Sequence, residues 1–183
     1  SIEAARELVP GLAADAERVF RVPDAVISPG RLVAATAADA SDRGATIHLD
    51  APVEDVLTSD GTVTGVAVGG SLDARIEAGT VVNAAGPWAD GVAGLAGASV
   101  PLCPTRGVMV AVDHGGIGPV LNRCRPPADG DVVVPHGDEA VLGTTSVAVD
   151  DPDDFAREDW EVERTVAECA ALCPAVAERP VCR

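Results

Sequence analysis

The sequence predicts a mixed fold, α/β or α+β, in two parts. Three observations carry that reading. A helical pattern beginning at Pro29 leads through a single glycine into a strand candidate, which is half of an α/β crossover. Two short β patterns flank "SDG", a hairpin signal followed by a third β run. Beyond Val100 the chain becomes a series of β-rich runs divided by Gly, Pro and Asp, the pattern of an antiparallel sheet. The expected division is residues 1–99 and 100–183, with 24–28 compatible with either part.

The elements follow in order. "SIEAARELVPGL" reads as a helix already in progress, and a chain opening on Ser1 rather than Met reads as a piece of a longer protein. "DAVIS" is a short strand candidate. Ser28 as N-cap, Pro29 at the first helical position and Gly44 past the end mark a helix from about Pro29 to Arg43. Leu32, Val33, Thr36, Ala37 and Ala40 line one side of it. "ATIHL" follows as a strand, then the hairpin Val53–Thr58 and Thr62–Val68, then "ARIEA" completing a meander. "TVVNAAG" returns as a buried strand. In the second part "GVMVAVD", "DVVVP" and "AVLGTTS" are strands. A last helix starts near Asp159, buries Val162, Val166, Cys169, Ala170 and Cys173, and stops at Pro174.

Composition narrows the function classes. Hydrophobic residues make up 47% of the 183, so the chain is globular, while 2% aromatics with no Tyr leaves a core of Val, Ala, Leu and Ile. The formal charge is -16, and all 13 basic residues are Arg. An acidic, lysine-free surface is what a halophilic cytoplasm favours, and it argues against nucleic acid or anionic lipid as partners. No apolar run approaches the ~20 residues of a membrane span, so a soluble, intracellular chain is expected. Five Cys with no CxxC spacing indicate neither a disulfide framework nor a zinc site. Cys169 and Cys173 read as small core residues, and "DDPDDFARED" as a solvated loop. No metal site is expected.

"VVNAAGPWAD", residues 81–90, is the stretch with chemical content. Ligands of parallel sheets lie beyond the carboxyl ends of the strands, and Ala84, Ala85 and Gly86 at such an end leave the backbone uncovered for a flat cofactor. A tight strand-to-helix turn against a neighbour explains the same residues equally well.

This segment resembles the strand-to-helix turn that passes near FAD in the flavin-dependent oxidoreductases of the D-amino-acid oxidase superfamily. "SPGRLVAATAADASDRGATI" is similar to the helix and strand before the meander in that group. Within it, "PTRGVMVAVDH", "NRCRPPADGDVVVP" and "AVLGTTS" resemble the A subunits of anaerobic glycerol-3-phosphate dehydrogenases. The resemblance implies a partial FAD-binding Rossmann-like unit with a β-meander over 1–99, and an antiparallel substrate-domain sheet with a C-terminal helix over 100–183. The GxGxxG phosphate turn and the Gly-x-Arg-Pro segment of the family are not in this sequence. The chain by itself is therefore expected to hold no FAD tightly and to be inactive.

The resemblance also implies a site. Val53 matches a position whose backbone lies beside the adenine, and Ala84, Ala85, Gly86 and Trp88 match the turn near the flavin. Arg106 stands where related dehydrogenases carry Lys-Gly, which suits a substrate phosphate, although a surface ion pair explains it as well. Arg123 and Arg125 alternate about Cys124, so on a strand they share a face and concentrate positive charge. Thr145, with Thr144, follows a strand within reach of substrate or flavin, and packing explains both equally. His114 and His136 receive no catalytic role, Arg31 is placed in the framework, and no base is assigned.

The implied activity is oxidation of sn-glycerol 3-phosphate to dihydroxyacetone phosphate. A hydride passes from the C2 carbinol to FAD, and electrons pass through partner subunits to a membrane quinone. The chain would then be cytoplasmic and peripheral to the membrane. The alternatives are an amine or amino-acid oxidase, which needs an arginine for the substrate carboxylate, and a non-catalytic domain that docks onto a partner protein.

Overall fold

A computed structural model describes residues 1–113 and 117–182, which leaves His114 outside the described residues. The chain divides into two compact units, one of residues 27–104 and one of residues 1–26 together with 105 onward. The expected boundary at 99/100 is thereby corrected: the first 26 residues fold with the C-terminal part. Helix α1 (Ile2–Leu8) leads into a segment whose Ala13 N–H donates to the Leu172 carbonyl at 2.9 Å. Gly11 lies so near Cys173 that a Cβ there would stand 3.0 Å from its Sγ.

The unit of residues 27–104 begins with α2 (Pro29–Asp42), which has its proline in the first turn and ends before Gly44 at φ +93. The meander follows as β1 (Val53–Ser59), β2 (Thr62–Val68) and β3 (Ala74–Glu77), antiparallel and in that order across the sheet. Asp60 and Gly61 join β1 to β2 with φ of 50 and 76, and two positive φ values are what a two-residue loop needs to match the twist of the strands. A 3₁₀ turn (Gly86–Trp88) then opens α3 (Ala89–Leu95), which rests against β1.

Three expected strands are corrected here. Residues 24–28, 45–49 and 80–82 pair with no strand among the described residues. A strand is stable only when its backbone groups find a neighbour, and these stretches lie open, Val82 at 83% exposure. The stripe on α2 is likewise uncovered: Leu32 is 52% and Val33 68% exposed, and no residue of that helix is buried.

The other unit does close a core. Strands β5 (Val110–Asp113), β6 (Leu121–Asn122), β7 (Val132–His136) and β8 (Glu139–Gly143) form one antiparallel sheet in the order β5-β8-β7-β6. A separate pair joins β4 (Thr105–Arg106) to β9 (Val147–Ala148). Register aligns Leu121, Val133, Leu142 and Val110 in one row, and these side chains enter the core. The next row, Asn122, Val132 and Gly143, therefore faces the other way.

Helix α4 (Asp159–Ala170) supplies the cover, with Cys169, Cys173 and Val176 fully within the core. Its buried stripe is corrected by one position in part. Glu161, Thr165 and Cys169 are the fully buried residues, while Val162, Val166 and Ala170 are half-buried. The helix ends at Ala170, and Pro174 opens a 3₁₀ turn (Pro174–Glu178) instead of stopping the helix directly. Among the described residues no His, Cys, Asp and Glu group is placed to hold a metal, and no helix is long and apolar enough to cross a membrane.

Candidate functional site

In the unit of residues 27–104 the turn after Val82 is organised by Asn83. Its Oδ1 accepts from the Ala85 N–H at 3.2 Å, and its Nδ2 donates to the Ala89 carbonyl at 2.8 Å. Both ends of the turn are thus pinned by one side chain, which is the local chemistry that makes Asn frequent in turns. Ala84, Gly86 and Trp88 stand exposed and Ala85 half-buried, and Gly86 adopts φ +56, where an added Cβ would meet nothing within 4 Å. Asp90 anchors the following chain by accepting from the Val100 N–H at 2.8 Å and the Ser99 hydroxyl at 3.1 Å. Val53 opens β1 opposite Val68, on the strand that α3 lies against. A wide cleft of about 950 Å³ lies between the meander and Leu95, and neither Val53 nor the turn lines it.

These features fit the edge of a flavin site. A small-residue backbone held rigid by Asn83 and free of side-chain cover is accessible to a flat ring, while the residues that would cradle a pyrophosphate are not in the sequence.

The four residues expected at the substrate fall into two clusters in the other unit. Arg106 donates through Nη1 to Glu161 Oε2 at 2.5 Å, and Thr145 Oγ1 donates to Glu161 Oε1 at 2.9 Å. Glu161 Oε2 also accepts from the Glu158 N–H at 3.1 Å, closing a capping box at the start of α4. The Thr145 hydroxyl in turn accepts from the Val108 N–H at 3.0 Å. Glu161 is entirely buried and the Arg106 side chain is 13% exposed. Burial pushes the Glu161 carboxyl up, yet the hydrogen bonds from Arg106, the Glu158 N–H and Thr145 outweigh it and hold the group below the usual carboxylate range. The same bond raises Arg106. Arg106 and Thr145 thus share one internal carboxylate.

The second cluster gathers on Glu168, near the end of α4. Its Oε2 accepts from Arg123 Nη1 at 2.9 Å and Arg125 Nη2 at 3.3 Å, while Arg164 Nη2 approaches Oε1 at 3.4 Å. Arg123 Nη2 donates to the Glu168 carbonyl as well. Arg125 Nε donates to Asp131 Oδ1 at 2.6 Å, and that bond is the main reason its pKa is raised. Three guanidinium groups thus share the Glu168 and Asp131 carboxylates, and Arg125 Nη2 also donates to the Asp129 carbonyl at 3.2 Å. Seven residues of helix separate Glu161 from Glu168, about 10 Å of rise, so one small anion cannot be gripped by both clusters.

Sequence reasoning missed Glu161, Glu168, Asp131 and Asn83. Only two left a signal: Asn83 before three small residues as an Asx turn, and Glu158-x-x-Glu161 as a capping box. Cys169 and Cys173 are core residues, as expected. Desolvation pushes the Cys169 thiol up to about 11, so it is unreactive where it lies.

The profile of the family described as FAD dependent oxidoreductase (DAO) matches residues 1–183. The chain belongs to this family. Among its relatives is the A1 subunit of the anaerobic glycerol-3-phosphate dehydrogenase of Haloferax volcanii, 39% identical over 97% of this chain and 32% of the relative. The corresponding polypeptide of Escherichia coli, the A subunit of its anaerobic glycerol-3-phosphate dehydrogenase, is 34% identical over 89% of this chain and 31% of its own length. The chain therefore spans about a third of the length of the curated relatives it matches. Among solved structures, the L-proline dehydrogenase of P. horikoshii superposes with a TM-score of 0.82 at 21% identity, covering 99% of this chain and 49% of that one. These relatives place the fold among FAD-dependent oxidoreductases of the DAO family, and FAD is the cofactor that family uses.

Proposed function

We propose that this chain serves an enzyme that oxidises sn-glycerol 3-phosphate to dihydroxyacetone phosphate, passing the electrons on through partner subunits at the membrane to a quinone. The observation that carries the reading is the 39% identity to the Haloferax volcanii glycerol-3-phosphate dehydrogenase polypeptide over 97% of this chain. The likeness to L-proline dehydrogenase concerns the fold alone and selects no substrate.

FAD, when bound, supplies the hydride acceptor for the C2 carbinol. This chain's share is to contact FAD through Val53 beside the adenine and through the turn at Ala84, Ala85, Gly86 and Trp88 near the flavin, and to receive the phosphate. Of the arginines, Arg125 is best suited to that anion. Its Nε and Nη2 are held by Asp131, the Asp129 carbonyl and Glu168, while its Nη1 has no protein partner among the described residues. A guanidinium locked on two edges presents its remaining N–H groups in a fixed direction, and a fixed donor loses little entropy on binding. Arg123 shares the Glu168 carboxylate with it. Arg106 and Thr145 hold the segment through Gly107, where any Cβ would collide with the Thr145 carbonyl, and so keep the sheet's approach to the substrate rigid.

The test is a steady-state comparison on the complete enzyme with FAD and an electron-accepting dye. Glycerol 3-phosphate should be turned over and glycine and proline should not. Turnover of an amino acid in its place would transfer the enzyme to the amine-oxidising branch, and a flavin-free protein with no turnover would favour a docking domain.

A further inference from the structure

We propose that the small cavity at the β6–β7 edge of the sheet is the seat of the substrate phosphate, and that Asn122 is a specificity-determining residue there. The inference rests on the reading of the enzyme as a glycerol-3-phosphate dehydrogenase and adds a residue and a place to it. The cavity holds about 190 Å³ and is lined by Asn122, Arg125, Pro127, Asp131, Gly143 and Thr144, among others. At about 30 Å³ per water that is room for roughly six, which suits a phosphate group and not a drug-sized ligand.

Register explains why a cavity forms at this spot. Asn122, Val132 and Gly143 are cross-strand neighbours in the row that faces away from the core, and Gly143 contributes no side chain. Gly143 lines the hollow with backbone alone, and Val132 and the Pro127–Ala128 turn are its apolar walls. Polar groups converge on it from three elements. Asn122 comes from β6 and Arg125 from the loop after it, while Thr144 follows β8, its hydroxyl shared between the Val108 and Thr145 carbonyls. Among the described residues the Asn122 amide has no protein partner, and neither has Arg125 Nη1. Two unoccupied donors of different geometry beside one hollow are what an oxyanion requires: the guanidinium supplies charge, and the amide N–H₂ supplies direction without it.

Asp131 lies on the same rim, and both of its carboxylate oxygens are engaged. Arg125 Nε takes Oδ1, and the Ala128 N–H donates to Oδ2. Arg123 and Arg164 are drawn to Glu168 alongside, so Arg125 is the cation that lines the hollow itself. To an oxyanion the hollow offers one guanidinium edge and one amide, whereas an uncharged polyol can use the hydrogen bonds but not the charge of Arg125.

The test compares Asn122→Ala and Asn122→Asp with the wild type in the complete FAD-loaded enzyme. Asn122 is exposed at the end of an edge strand, so both variants should fold. In Asn122→Asp, KM for glycerol 3-phosphate should rise at least tenfold with kcat within about twofold, and the inhibition constant of inorganic phosphate should rise in parallel. Asn122→Ala should show the same pattern at about threefold. Unchanged KM and unchanged phosphate inhibition in both variants overturn the assignment. Phosphate-dependent stabilisation, read as the rise in melting midpoint at constant KCl, separates the cavity from the activity. If the wild type does not oxidise glycerol 3-phosphate, the functional reading fails, while a phosphate-induced rise that Asn122→Asp abolishes still upholds the anion seat. Absence of that rise in the wild type sinks it.

Discussion

Helix α2 in one unit and helix α4 in the other both carry an apolar stripe at helical spacing, yet only α4 is covered. Under α4 the sheet contributes Val110, Val112, Val133 and Leu142, all essentially without solvent exposure. Around α2 nothing in its own unit closes over Leu32 and Val33, and the extended stretches at 45–49 and 80–82 have no strand beside them. Amphipathic spacing states which face wants cover. Whether the cover is present depends on residues elsewhere in the chain or in another one.

The largest expected effect follows from that contrast. Leu142→Ala empties a fully buried position and should lower the free energy of unfolding by about 2–5 kcal/mol, whereas Leu32→Ala, at a half-exposed site, should change it by less than about 0.5 kcal/mol in this chain. Urea denaturation of the chain measures both. Equal losses at the two sites would mean that the α2 face is covered after all. In an enzyme as long as the curated relatives, Leu32→Ala should become costly where further chain covers this face.

Acid should act on the α4 unit first. Glu161 and Glu168 are both held below the ordinary carboxylate range in the folded chain, against the opposing push of burial. Each therefore adds stability that is complete above its unfolded pKa of about 4.3 and is lost as pH falls through its lower folded value. Glu161→Gln should lower the melting midpoint at neutral pH and flatten its decline between about pH 5 and pH 3. Parallel acid profiles for the variant and the wild type would remove Glu161 from the account.

Salt probes the contrast from the other side. The formal charge of -16 resides mostly on exposed carboxylates, whose mutual repulsion is relieved by screening, while the Arg pairs on Glu161 and Glu168 are partly buried and lose less. The melting midpoint should climb as KCl rises from low to molar concentration. A falling midpoint would mean that the ion pairs outweigh the repulsion.

What is legible in the sequence, and what is not, divides along the same physical line. The β1–β2 hairpin, the limits of α2 and the start of α4 are legible because Asp60–Gly61, Pro29, Gly44 and the acidic first turn act within a few residues of themselves. The strands expected at 24–28 and 45–49 fail because a strand is a relation between two segments. Arg106, Arg123 and Arg125 stand out as unusual cations in an acidic chain, but their partners lie 43 to 55 residues away along the sequence for Glu161 and Glu168. Glu161 shows locally only as the third helical residue of a capping box, and Glu168 does not differ in local pattern from its solvated neighbours on α4. The turn at 81–90 is legible as a place where side chains are withheld, and the residue that stiffens it, Asn83, is hidden behind the small residues it serves.

A smaller effect on folding than at Leu142 is expected at that asparagine. Asn83→Ala removes two hydrogen bonds, from the Ala85 N–H and to the Ala89 carbonyl, and leaves the surrounding side chains in place. Both bonds are exposed and sit at the low end of the usual contribution, about 0.5 kcal/mol each, because water replaces much of what is lost. The consequence for folding should therefore be slight. The consequence for the cofactor follows from preorganisation: a turn that must be ordered on binding surrenders that ordering free energy from its affinity. In the complete enzyme, FAD release measured by flavin fluorescence should show a dissociation constant raised about two- to tenfold, with the melting midpoint of the apoprotein nearly unmoved. Asn83→Asp is the sharper variant. It keeps the acceptor for Ala85 and loses the donor to Ala89, so its loss should fall between those of the wild type and the alanine variant. If both variants bind FAD as the wild type does, the turn at Ala84, Ala85 and Gly86 is packing between a strand-like segment and a helix, and the open backbone there serves the fold alone.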